Sequence, residues 1–149
     1  MSSPALPRRA PRTRGALLLV LLCTALASAC IPLDGDEQYL YDRTNQLRHE
    51  AGLPNLLVHD SLTRRAQHLA DDLAARRELA HSDLRQFGFS WATAGENLGR
   101  GPGIHEVTDK LIASPGHRAN MLNPAFISQS VGVARAADGT VYVVHLFSG

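Results

Sequence analysis

The sequence predicts an α+β fold, on three observations. Apolar residues recur at helical spacing in three early and middle segments, the last segment alternates and then runs apolar as paired strands do, and Gly/Pro turns separate the blocks. The first helix is expected from about Asp36 to Ala51. Leu40, Thr44, Leu47 and Ala51 lie on one face, Arg43, His49 and Glu50 on the other, and Gly52 with Pro54 stops it. Asn55 to His59 reads as an extended connector. Asp60 or Ser61 caps a second helix that buries Leu62, Ala66, Leu69 and Leu73, exposes Arg64, Arg65, Asp71 and Asp72, and fades around Glu78.

Phe87 to Trp91 is an aromatic stretch suited to packing over a core, and Gly95 to Gly103 reads as a glycine-rich loop. That loop lacks the lysine and spacing of a phosphate cradle. A third helix is expected from Ile104 to Ala113, broken by Pro115-Gly116, with a short helical turn resuming through Met121. Val131 and Val133 begin a strand, Ala137 to Thr140 form a turn, and Val141 to Phe147 form a second strand.

The N-terminus reads as an address rather than as structure. Arg8, Arg9, Arg12 and Arg14 precede an apolar run from Gly15 to Ala27, shorter than the ~20 residues a membrane span needs. Ala27-Ser28-Ala29 is a small-residue cleavage pattern, so residues 1–29 are expected to be an export signal. Cys30 comes directly after it, and two processings fit. Either the new N-terminal Cys30 is acylated, with residues 30–36 as a short tether attaching residues 37–149 to a membrane, or the protein is secreted with one free thiol. No internal disulfide is available after cleavage, because Cys30 is then the only cysteine. Removing the four leader arginines takes the net charge from +1 to −3. No basic stripe survives, which argues against nucleic acid as a partner.

Chemistry concentrates at three residues. His81, Glu96 and His117 each lie where a core-facing element gives way to a polar segment, and two imidazoles with a carboxylate form a metal-ligand set that leaves a position for water. His49, His59, His68 and His105 read as surface or capping residues. His145 alternates with Val144 and Leu146, so it points opposite to them, a direction open to the site. Ser82 and Ser114 neighbour histidines in sequence, but no nucleophile elbow surrounds either.

Several ordered blocks resemble the CAP superfamily, the SCP-like extracellular domain, in its bacterial branch. They are Asn45-Gln46-Leu47-Arg48 with Ala51-Gly52-Leu53-Pro54, Ala66-Gln67-His68-Leu69-Ala70, His81-Ser82, Gly95-Glu96-Asn97-Leu98, and Ser114-Pro115-Gly116-His117-Arg118-Ala119-Asn120-Met121-Leu122. The resemblance implies a three-layer α–β–α sandwich. It also implies a cleft of two histidines and two acids that in some members binds a divalent cation. By position these are His81, Glu96 and His117, while Ser114 stands at the second acidic position and Leu111 at a usual tryptophan. The expectation is an extracytoplasmic module binding a small-molecule, lipid or glycan ligand, with a weakly held divalent cation (Zn or Ca) at His81, Glu96 and His117. The alternative is a metal-assisted hydrolase of peptide or cell-wall material, disfavoured because Glu96 cannot serve as both ligand and base. A structural surface protein is a third reading.

Overall fold

The computed structural model describes residues 34–87 and 92–149. The expected export signal, Cys30 and residues 88–91 of the aromatic stretch lie outside the described residues. Helix α1 (Gly35–Glu50) starts directly after Asp34, so residues 35 and 36, expected to belong to the tether, are helical. The Asp34 carboxylate accepts from the Asp36 and Glu37 amides at 3.0 Å, and the Glu37 carboxylate takes the Asp34 amide at 3.2 Å. This reciprocal capping satisfies amides that the first turn leaves without partners. Helix α2 (Asp60–Arg76) ends at Arg77 in a left-handed conformation. Helices α3 (Ile104–Ala113) and α4 (Pro115–Met121) meet at Ser114, where Pro115 both stops the first helix and starts the second.

Four strands, β1 (Leu57–Val58), β2 (Ala94–Gly101), β3 (Ser128–Arg135) and β4 (Val141–Ser148), form one sheet in the order β1-β3-β4-β2. β1 runs parallel to β3, and the other pairings are antiparallel. The predicted C-terminal hairpin is therefore the centre of the sheet. β2 corrects the sequence reading, which took Gly95 to Gly103 for a loop. Its glycines allow close approach of other segments: a Cβ at Gly99 would come within 2.5 Å of Val107 in α3, and one at Gly95 within 2.8 Å of Phe126, which precedes β3.

β4 is buried on both faces and separates two cores. Tyr142, Val144 and Leu146 pack against Leu62, Ala66, Ala70 and Leu73 of α2. Val141, Val143 and Phe147 pack beneath Leu40 and Leu47 of α1, Val107 and Leu111 of α3, and Met121. The result is the expected α–β–α sandwich. On the α2 side Gly132 lets the helix backbone touch the sheet, since a Cβ there would overlap the Ala66 carbonyl.

Arg48, on the buried side of α1, ties the layers near the site. Its side chain is fully buried and donates to the carbonyls of Pro54 (2.8 Å), Met121 (2.9 Å) and Asn123 (3.0 Å). It thereby binds the end of α1 to the end of α4. Burial pushes its pKa below the usual arginine range, which still leaves the guanidinium charged at neutral pH.

Candidate functional site

The site is built on β2, an edge strand whose consecutive side chains point to opposite faces of the sheet. Glu96 turns toward the segment that follows α2, and Asn97 toward α4. The Gly-Glu-Asn triplet thus joins the two helical layers across the sheet edge.

On the first side, His81 Nδ1 donates to Glu96 Oε1 at 2.8 Å, and the Ser82 amide donates to the same oxygen at 3.0 Å. The Ser82 hydroxyl donates to Glu96 Oε2. The Glu96 side chain is only 4% exposed, whereas the His81 ring is 68% exposed. A carboxylate accepts only, so Nδ1 of His81 carries a proton, and in the neutral ring Nε2 then presents its lone pair. On the second side, Asn97 Nδ2 donates to the His117 carbonyl at 2.9 Å. Asn120 Nδ2 donates to Asn97 Oδ1 at 2.8 Å and to the Glu96 carbonyl at 3.4 Å. These bonds pin the start of α4 to β2.

His117 has a buried Nδ1 with no hydrogen-bond partner among the described residues. Burial, and then the nearby His81, lower its pKa, so the ring is neutral at neutral pH. A cavity of about 230 Å³ opens beside it. Leu79, Leu98, Val107 and Leu111 form its apolar wall, and Arg100 and Lys110 stand with Ser114 and His117 among its polar lining.

The structure therefore brings His81, Glu96 and His117 to one edge of the sheet. Among the described residues, no three His, Cys, Asp or Glu side chains are grouped so as to hold a metal ion directly. Glu96 Oε1 accepts two hydrogen bonds and Oε2 one, so the imidazole nitrogens are the more open donors for an ion. Ser82, whose hydroxyl bonds to Glu96 rather than to an imidazole, is a positioning residue. Asn120 was not singled out as a site residue from the sequence, and its only sequence signal was its place in the Ser114 to Leu122 block. His49, His68 and His105 are exposed as expected, and His105 packs against Tyr39 in a tilted arrangement with ring centroids 4.1 Å apart. His145 points into the core, where its Nε2 donates to Gln129 Oε1 at 2.8 Å and its ring lies 4.1 Å from that of Phe147.

The model of the CAP family, described as the cysteine-rich secretory protein family, matches residues 41–147. The Bacillus subtilis protein YkwD is 29% identical over 116 residues, which cover 71% of this chain and 44% of that protein. The chain thus spans less than half the length of this curated relative. Among solved structures, an outer surface protein of Borrelia burgdorferi superposes with a TM-score of 0.70 at 22% identity, covering 79% of this chain and 95% of the other. An extracellular SCP-domain protein of Bacillus anthracis gives a TM-score of 0.67 at 23% identity, covering 78% and 44% respectively. At these identities the structural matches show the fold alone.

Proposed function

The chain belongs to the CAP superfamily, in its bacterial branch, and on that premise we propose that it is an extracytoplasmic binding module whose His81–Glu96–His117 cleft holds a ligand rather than turning one over. The observation that carries this reading is the state of Glu96. Its carboxylate is buried and occupied by His81 and by both donors of Ser82. A hydrolase needs a base free to take a proton from water. Glu96 is instead placed to orient an imidazole, the role of a carboxylate behind a metal-bound histidine. Relatives described as outer-surface and extracellular proteins, together with the leader-like residues 1–29, support the location. Acylation at Cys30 would add a membrane attachment.

The donor set fits a cation held by two imidazoles, with Glu96 behind His81. Imidazole suits zinc far better than calcium, which takes oxygen ligands. Bound there, zinc would supply an electrophilic anchor for an anionic or carbonyl group of the ligand. The chain's own residues hold the imidazoles in register: Glu96 and Ser82 fix His81, while Asn97 and Asn120 fix the turn that carries His117. The apolar wall of the adjoining cavity favours a ligand with an apolar group over a bare sugar.

Thermal unfolding of the full chain with zinc or calcium chloride tests the cation site. Zinc at about a hundredfold over its dissociation constant stabilises by about 2.7 kcal/mol, and calcium leaves the midpoint unchanged. The His81→Ala/His117→Ala double variant loses the zinc effect. An equal zinc effect in wild type and double variant, or none in wild type, refutes the cation site.

A further inference from the structure

The free edge of β2 carries an observation that the histidine site does not use. Thr93 and Gly149 exchange both backbone bonds, at 3.0 and 3.1 Å. With the antiparallel register, this fixes the alternation along β2: Gly95, Asn97, Gly99 and Gly101 bond to β4, and Glu96, Leu98 and Arg100 direct their N–H and C=O groups outward. Side chains close one such position on β3 and one carbonyl on β2. On β3, the Gln67 side chain takes both outward groups of Val133, donating to its carbonyl at 2.9 Å and accepting from its amide at 3.1 Å. On β2, Asn120 takes the Glu96 carbonyl. Among the described residues, no hydrogen bond reaches the outward groups of Leu98 and Arg100.

The same residues line the apolar cavity. Leu98, Gly99 and Arg100 form one side, facing Val107 and Leu111 of α3. Arg100 also lines a second depression of about 630 Å³, together with Arg77, Pro102 and Asp138. Neither Arg100 nor Lys110 has a carboxylate partner among the described residues. An acyl chain would fill the apolar cavity but leave the backbone groups of Leu98 and Arg100 unmatched. An extended peptide satisfies both.

We propose that β2 accepts an extended acidic–apolar peptide as a fifth strand, pairing with Leu98 and Arg100, with one apolar side chain in the cavity and carboxylates on Arg100 and Lys110. Strand addition of this kind draws affinity from main-chain bonds and specificity from alternate side-chain pockets. The proposal deepens the binding reading by naming the ligand class. It rests on the cavity as the ligand site and does not require a cation.

The test uses the full chain, labelled with ¹⁵N, and a short blocked peptide that alternates valine or leucine with glutamate. Binding is expected to slow amide exchange at Leu98 and Arg100 while leaving Asn97 and Gly99, already in the ladder, unchanged. N-methylation of alternate peptide amides is expected to weaken binding at least about tenfold, and replacing glutamate by lysine likewise. Arg100→Pro removes an outward N–H that an edge strand tolerates losing, and it is expected to weaken binding more than Arg100→Ala, which removes only the charge. If Arg100→Pro does not fold, the N-methylated peptide on the wild-type chain decides. Equal affinity for the two peptides, unchanged exchange at Leu98 and Arg100, or binding of laurate but not of peptide overturns the proposal. The zinc shift, read in the same samples, reports separately on the histidine site.

Discussion

Replacing Arg48 by alanine is expected to cost more stability than any surface change, and the structure lets the magnitude be worked. Three carbonyls, of Pro54, Met121 and Asn123, lose a charged donor in a buried place. A net contribution of about 1 to 1.5 kcal/mol for each bond, a value reduced by the cost of burying the guanidinium, gives a loss of about 3 to 4.5 kcal/mol. For a domain of this size, with about 4 °C per kcal/mol, the midpoint falls by roughly 12 to 18 °C. Arg48→Lys keeps the charge but not the fork, so it should recover one bond of the three. Thermal and urea unfolding of the full chain followed by circular dichroism measure both variants. A loss below about 1 kcal/mol for Arg48→Ala, or full recovery with lysine, refutes the reasoning that a planar donor set ties α1 to α4.

Two further outcomes concern buried groups. Burial lowers the pKa of His145 to about 3, from an ordinary value of 6.5, so the folded chain refuses a proton that the unfolded chain takes. Stability is unaffected by this residue above pH 6.5 and falls as the pH drops from 6.5 toward 3, by about 1.4 kcal/mol per pH unit at most. Urea unfolding at pH 7 and pH 4.5 should therefore show a loss of about 2 to 3 kcal/mol that the His145→Gln variant lacks, and parallel pH profiles would count against it. Gly132→Ala places a methyl group against the Ala66 carbonyl, backbone on backbone, with no flexible side chain to yield. It should lose at least about 2 to 3 kcal/mol in urea unfolding, and a neutral result would mean that α2 can lift from β3 without penalty.

The helices and the central hairpin were legible because their signals are local. Leu40, Thr44 and Leu47 declare α1 by spacing alone, and Val141 to Phe147 is a short, valine-rich apolar run after a turn, which marks a buried strand. The ordered blocks around His81, Glu96 and His117 identified the family and its sandwich from the sequence by itself. β2 was misread because three glycines within eight residues look like a loop, and the reason for them, Val107 and Phe126 pressing on the strand, lies in other segments. Arg48 carries no sign in the sequence of the carbonyls that it serves, two of which lie in a distant segment. The sequence placed Glu96 among candidate ligands. Only the tertiary structure decided that both its oxygens are taken by His81 and Ser82, and that among the described residues no hydrogen bond reaches the outward backbone groups of Leu98 and Arg100. Periodicity records which face of an element is buried, whereas hydrogen-bond occupancy depends on groups brought together by folding, and that is where the ligand chemistry of this protein is set.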